Sequence, residues 1–448
     1  MKYPLLLIFF CSVCCNFVAA QSTSSLSLSA LRDSALQNNV ALRRARLDIQ
    51  SATHQRKEAF TKYFPTISAT GMTFNANRAM AKMDIDPSGY ITPELGASLA
   101  QTLPAEALAA LSSPMTMTMM KNGTIAGVTA IQPIFAGGQI VLGNKLARIG
   151  EEASHLQLQL TEKDVEKQIE NYYWQLVSLQ EKQRTLDAAD SLLANLARDV
   201  NAAVEAGVAL RNDLLQVQLR QNDLKSQRLK LNNGTTLLHL LITQFCGLKE
   251  EWNLEVSLLE TIESEVPLEG SSLSALPEYQ LLQKQVEATT LQRRMEVGKN
   301  LPSLAVGAGY NYHNLLDNDR HFGMIFATLS VPISDWWSGS HAIQRRRIAE
   351  QQAREQLDDN AQLLDIRAQK AANDVYEAKS QLDIAQQSIA QAEENLRIHR
   401  DTYQAGTATM SDLLQAQLLH QQALDKRTDA YIALQQAFLD YRHATGQQ

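Results

Sequence analysis

The sequence predicts a membrane protein of mixed class: a few strands continuous with very long coiled-coil helices, the whole plan laid down twice. Three observations predict it. Residues 341–405 hold no glycine or proline. They place apolar side chains at alternating steps of four and three, from Leu357, Ala361 and Leu364 to Leu396, His399 and Tyr403. That seven-residue repeat predicts a left-handed coiled coil, roughly 100 Å long at 1.5 Å per residue, wider than a compact domain. Second, four short segments have the composition and length of strands that cross a bilayer with tilt. Third, Pro133 and Pro332, Gly207 and Gly406, Asp213 and Asp412, and Gly247 and Gly446 are all 199 residues apart.

Composition bounds the rest. The 448 residues carry a net charge of −7, and no basic aromatic-rich patch opposes it, so nucleic acid is not an expected partner. Residues 1–20 read as a signal peptide: Lys2, an apolar centre at 5–10, and Val18-Ala19-Ala20 before Gln21. Cys11, Cys14 and Cys15 would leave with it, and none sits in a lipid-modification pattern, so no lipid anchor is expected. Cys246 alone remains, which excludes an internal disulfide in the mature chain. No later run is long enough for a transmembrane helix. An exported chain that crosses a membrane must then do so with strands.

The first repeat covers residues 21–247. Residues 26–64 show helical spacing, and Phe64-Pro65 marks a change of state, because the residue before proline disfavours helix. Residues 66–74 look extended. Residues 75–123 read as irregular, with four prolines and the methionines 80, 83, 115, 117, 119 and 120; Asn122-Gly123 is a tight-turn signal. A strand at 124–134 follows, then Gly137-Gly138 and a helical hairpin over 139–246. Its first arm repeats Val165, Ile169, Leu176, Leu186, Leu193 and Val200, with Gln183 and Asp190 as polar exceptions; Gly207 breaks it.

Residues 248–275 form a connector, and 276–448 the second repeat. It predicts a helix to residue 300, strands at 303–313 and 322–332, Ser338-Gly339 in the place of Gly137-Gly138, and a hairpin over 340–446 broken at Gly406. The first inter-strand loop is 38 residues longer than the second. Four strands cannot close a barrel, since outer-membrane barrels start at eight, and open edges are intolerable in lipid. The chain must therefore complete one barrel with sister copies. The rival from another class is a periplasmic coiled-coil scaffold whose strands pair with other proteins.

Several motifs, modest singly, resemble the TolC-type outer membrane factors when taken in order. They are Tyr403-Gln404-Ala405-Gly406-Thr407, then Asp412-Leu413-Leu414-Gln415-Ala416-Gln417, Leu301-Pro302-Ser303-Leu304 entering a strand, and the repeat itself. The resemblance covers essentially the whole mature chain. It implies a homotrimer in the bacterial outer membrane with a shared twelve-stranded barrel and a helical barrel in the periplasm. It implies a passive exit duct, docked to a periplasmic adaptor and through it to an inner-membrane transporter, in contact with outer-membrane lipid. Small-molecule efflux is favoured; the duct of a type I protein-secretion system is the alternative.

The resemblance also assigns sites. Gly207, Val208, Ala209 and Leu210, with Gly406, Thr407, Ala408 and Thr409, would form the tip turns where an adaptor docks. Asp213 and Asp412 would line the periplasmic entrance as rings of like charge that focus cations; a helix-start acid favoured by the dipole is the simpler reading of both. Tyr403 matches a latch tyrosine. Gln415 stands where the best-known relative carries a second acid, and Ala408 where an arginine can latch the mouth, with Arg211 as a substitute. Tyr63, Phe64, Phe135, Trp336 and Trp337 collect at the helix-side strand ends, as aromatics do at membrane interfaces.

The methionines around residues 115–120 have the soft donors that suit Cu(I), and their alternation reads equally as one strand face, so no metal or cofactor is assigned. The histidines show no zinc-like spacing. No phosphate loop, nucleophile elbow or dinucleotide fingerprint is present, and no enzyme is expected.

Overall fold

The computed structural model describes residues 24–119, 121–248, 252–254, 273–315 and 319–446. The expected signal peptide, most of the connector, and Asp317 and Asn318 lie outside these residues. The first part of the chain runs β1 (Ser24–Leu26), α1 (Leu28–Asn38), α2 (Val40–Thr61), β2 (Thr66–Asn75), β3 (Ala81–Ile85), α3 (Pro93–Thr102), α4 (Ala105–Ser112), β4 (Met115–Met119), β5 (Asn122–Ala136), α5 (Gln139–Glu205) and α6 (Arg211–Cys246). The second runs β6 (Trp252–Leu254), α7 (Pro277–Lys299), β7 (Ser303–His313), β8 (Arg320–Ser330), α8 (Asp335–Gln404) and α9 (Met410–Thr445).

Two compact units share these elements. The first comprises Met1–Asp48, His155–Leu281 and Asp358–Gln448; the second comprises Ile49–Ser154 and Leu282–Leu357.

The first unit is built from helices. The heptad seam of α8 is the face that is buried: Ala368, Ala371, Val375, Ala378 and Leu382 pack with Ile432, Leu434, Ala437 and Tyr441 of α9. Alanine at the seam lets the two backbones approach closely. On α5, Val165, Ile169 and Leu176 pack with Leu238, Ile242 and Cys246 of α6 and with Leu31 and Ala35 of α1. Farther along, Leu186, Leu193 and Val200 meet Val217 and Leu224 of α6 and Met410 of α9. Burying each leucine or isoleucine contributes about 1.5–3 kcal/mol. Asp190, an exception in the apolar pattern, is matched by Arg228 of α6, whose guanidinium also bonds Asp187 at 2.7 Å. β1 and β6 pair in parallel, Ser24 opposite Trp252.

The second unit holds a four-stranded antiparallel sheet in the order β2-β5-β7-β8. Register runs from Thr66 opposite Ile131 to Asn75 opposite Asn122, and from Ser303 opposite Ser330 to His313 opposite Arg320. β5 is bulged between Pro133 and Phe135, which absorbs the proline without breaking its pairing to β7. β2 and β8 are the sheet's edges, and each pairs on one side only among the described residues.

Several expectations need correction. The helix expected over 26–64 is two helices, because Asn39 breaks it: its side chain accepts from Ala41 N at 2.8 Å and donates to Phe245 O at 3.2 Å. The described residues of 75–123 form regular elements: a β3–β4 ribbon, a 3-10 turn at Pro87–Tyr90 and two helices. Two of their prolines start helices instead of breaking structure: Pro93 follows the Thr92 N-cap, and Pro104 precedes α4. α8 begins at Asp335, so Trp336, Trp337 and Ser338-Gly339 lie inside its first turns; the last strand correspondingly ends at Ser330, short of Pro332.

Candidate functional sites

Strand alternation gives the sheet two unlike faces. One carries Ile67 of β2, Val128 of β5, Val306 of β7, and Ile325 and Leu329 of β8. These side chains are 70%, 50%, 39%, 90% and 67% exposed, so the single chain leaves them uncovered. An apolar sheet face this large on a chain of mild hydropathy calls for a covering layer. Phe135, opposite Leu304, closes this face at one end. Tyr310 and Tyr312 lie at the other, where both rings meet His321. From Leu304 to Tyr312 the strand spans roughly 27 Å before tilt. The other face mixes small, polar and apolar residues: Thr66, Ser68, Thr70 and Met72 on β2, Ile125, Gly127, Thr129 and Ile131 on β5, and Gly307, Gly309 and Asn311 on β7, with Phe322, Met324 and Phe326 along β8. The Phe326 ring lies over Gly307, where a Cβ would meet it at 2.3 Å.

The expected interface aromatics all belong to this second unit. Tyr63 and Phe64 are exposed just before β2, each edge-on to Phe60 at 5.6 Å. Gln132 of β5 donates to Tyr63 O at 3.2 Å. Phe135 is about half exposed at the end of β5. Trp336 donates its indole N–H to Asn300 O at 2.9 Å, and Trp337 is 77% exposed.

In the first unit, the two helical hairpins turn by the same bonds. At the first turn, Gly207 N donates to Val204 O at 3.0 Å and Val208 N to Ala203 O at 2.9 Å. At the second, Gly406 N donates to Tyr403 O at 3.0 Å and Thr407 N to Thr402 O at 2.9 Å. This pair of bonds needs a left-handed residue after the helix, and Gly207 and Gly406 take φ of +75° and +74°. Val208 and Leu210 project into solvent, 80% and 71% exposed. Thr407 and Thr409 are exposed, while Ala209 and Ala408 are half-buried.

The helix that leaves each turn is capped by the expected aspartate. Asp412 Oδ2 accepts from Thr409 N at 3.0 Å and from its hydroxyl at 2.6 Å. The Thr409 hydroxyl and amide, and the nearby His399, hold the Asp412 carboxyl below the usual range. Asp213 accepts from Leu210 N at 3.3 Å. Both acids thus start helices, the simpler of the two roles read from the sequence. The fold also brings Asp213 to Tyr403, whose phenol is raised by burial and by that negative charge. Gln415 is exposed on α9, and Arg211 is exposed with no ion pair among the described residues.

Beside Tyr403 lies a groove of about 400 Å³, walled by Leu196 and Val200 of α5, Leu396 of α8 and Leu413 of α9, with Asp199 and Arg400 at its rim. Sequence reasoning missed it, because it needs two helices distant in sequence side by side. It also missed the polar rungs that join helices distant in sequence. Gln417 donates to Ala189 O at 3.3 Å, Arg220 to Gln421 at 2.8 Å, and Glu170, buried on α5, takes both Arg32 of α1 and Arg442 of α9. Only a polar residue at an apolar seam position hinted at these.

Among the described residues, no group of three His, Cys, Asp or Glu side chains is placed to hold a metal, and no helix is long and apolar enough to cross a membrane.

Long coiled-coil hairpins joined to a four-stranded sheet are a fold shared with solved outer-membrane channels. CmeC of Campylobacter jejuni matches with a TM-score of 0.75 at 16% identity, over 94% of this chain and 85% of that one. VceC of Vibrio cholerae matches with a TM-score of 0.72 at 14% identity, over 94% and 96% of the two chains. The open state of MtrE of Neisseria gonorrhoeae matches with a TM-score of 0.69 at 13% identity, over 94% and 88%. No curated protein matches the chain. Residues 272–447 match the family model for outer membrane efflux proteins. The likeness to TolC-type outer membrane factors read from the sequence motifs is thereby established.

Proposed function

We propose that the chain is the outer-membrane exit duct of a tripartite export system, three copies sharing one twelve-stranded barrel and one helical barrel, with the two repeats of each chain descended from a duplicated unit. The observation that carries this is the sheet: its apolar face is uncovered and ends in aromatics at both levels, and both its edges are open. In lipid the edges must be paired, and sister copies supply the pairing. Tyr63, Phe64, Phe135, Trp336 and Trp337 would then lie at the periplasmic membrane interface. The turns at 207–210 and 406–409 would form the tip on which a periplasmic adaptor docks, bringing an inner-membrane transporter that supplies the energy. The apolar groove beside Tyr403 gives a neighbouring helix a place to lie. Asp213 and Asp412, repeated around a threefold axis, would make acidic rings at the entrance. The duct itself is passive, and small molecules are its favoured cargo.

Purified protein in a planar bilayer should show stable, cation-selective conductance, and Asp412→Ala should reduce the selectivity while leaving conductance in place. Correctly folded assemblies that stay silent under opening conditions would overturn the proposal.

A further inference from the structure

The two ends of the sheet differ in charge. The seventeen residues that flank each strand on the helix side, 49–65, 137–153, 286–302 and 331–347, together hold eleven Lys or Arg and six Asp or Glu, a positive surplus in a chain of net charge −7. The connections at the other end, 76–121 and 314–319, hold three Lys or Arg and six Asp or Glu. On the helix side, five cations are held by carboxylates: Arg56 by Glu151, Arg148 by Glu152, Arg293 by Glu350, and Lys299 and Arg346 by Glu296. The other six are Lys57 and Lys62 beside β2, Lys145 of α5, Arg294 of α7, and Arg345 and Arg347 of α8. All six are exposed, and none forms an ion pair among the described residues.

The fold gathers these cations into one belt within the second unit. α2 lies on α5, where Asn144 donates to Ala59 O at 2.9 Å. α5 meets α7 where Gln139 donates to Met295 O, and α7 lies on α8, where Arg346 donates to Gln292 at 3.2 Å. Lys57, Lys62, Lys145 and Arg294 lie closest to the sheet, each within about 9 Å, measured along the axis, of its helix's end there. The headgroup layer adds about 5–7 Å to each side of a bilayer's hydrocarbon, and the long stems of lysine and arginine reach up along apolar surface to it. The exposed rings of Phe64 and Trp337 stand at the same level. A groove of about 810 Å³ between α2 and α5 opens there too, lined by Phe64, Pro65 and Ile140 and by Gln55, Glu58 and Lys62. Free cations beside exposed aromatics suit anionic headgroups above an apolar layer.

We propose that this belt binds the anionic headgroups of phospholipids in the leaflet next to the helices, with the α2–α5 groove beside Lys62 seating one of them. The inference rests on the reading of the sheet as membrane-spanning. Near a bilayer, each such cation strengthens attraction to anionic lipid roughly fivefold. The probe is phosphatidylglycerol, which is anionic, against phosphatidylcholine, which has the same phosphate and no net charge. The full-length protein is reconstituted into a mixture of the two, and the lipid that stays bound after gentle extraction is identified by native mass spectrometry. The wild type should retain phosphatidylglycerol in excess of its share of the mixture. Lys57→Gln/Lys62→Gln/Lys145→Gln/Arg294→Gln should lower that preference at least about fivefold, with circular dichroism checking the fold. Arg78→Gln/Lys82→Gln, at the other end of the sheet, should leave it unchanged. Equal preference in the wild type and the fourfold variant would overturn the belt, as would an equal loss in Arg78→Gln/Lys82→Gln. A wild type that conducts in phosphatidylcholine bilayers yet shows no preference would overturn the belt and leave the duct standing. A wild type that does not insert would overturn both.

Discussion

Thr409 and Asp412 cap each other: the Thr409 hydroxyl accepts from Asp412 N at 3.2 Å while the Asp412 carboxylate accepts from Thr409 N at 3.0 Å. The corresponding pair at the first helical turn, Leu210 and Asp213, keeps only the second of these bonds, because the leucine side chain has no oxygen to offer. Thr409→Ala should speed amide exchange at Asp412 by about 2- to 30-fold, the range a lost N-cap produces. Leu210→Thr should slow exchange at Asp213. Unchanged exchange in both variants would show that the caps contribute nothing to holding the turns.

Glu170 is 5% exposed and is shared by Arg32 and Arg442, whose side chains are 35% and 42% exposed. Glu170→Ala leaves two guanidiniums facing each other. Breaking a fully buried pair costs about 3–5 kcal/mol; solvent around the arginines reduces that to about 1–3 kcal/mol here. The denaturant midpoint should fall accordingly, and an unchanged midpoint would count against the three-helix link.

His443 is pushed down to about 4 by burial and by Lys167, Lys163 and Arg442. Its folded-state value lies below its unfolded one, so the unfolded chain binds more protons between the two. Stability is then full above about pH 6.5 and is lost as pH falls toward 4, by roughly 1–3 kcal/mol. His443→Gln should flatten the stability profile across that window. A profile equally steep in the variant would assign the acid sensitivity to other groups.

Two glycines separate conformational strain from collision. Gly137 has φ of +59°, and a Cβ on it would lie 1.9 Å from Gly298 O, so Gly137→Ala must displace backbone. Gly207, at φ +75°, has open space around its missing Cβ. Gly207→Ala should cost only about 1–2 kcal/mol, whereas Gly137→Ala should abolish folded protein in the membrane fraction. Equal yields of the two variants would contradict the close approach.

What the sequence shows directly is whatever repeats or terminates locally. The heptads of α5 and α8, the glycines at 207 and 406, the aspartates three residues after each cap, and the four long strands need no distant partner to be recognised. The misses are tertiary. Asn39 ends α1 because its amide reaches Phe245 O, far away in the chain. Gly298 had no local signal, since its need for a bare Cα comes from Gly137. Pro93 and Pro104 read as breakers because the same residue that ends a helix also fits its first turn. Gln417 and Gln421 are buried only because α5 and α6 lie beside α9, which no local pattern shows. For Asp412 the structure shows the cap, which is a property of one chain, whereas the acidic ring expected from the sequence is a property of three.

The central claim is that β2 and β8, open in one chain, are closed by sister chains. Native mass spectrometry of protein extracted gently from membranes tests it most directly. The expected result is a single species of three chains, each close to 49.8 kDa less the expected signal peptide, that persists after detergent exchange. A water-soluble species with the mass of one chain, obtained without detergent and with its strands intact, would contradict it.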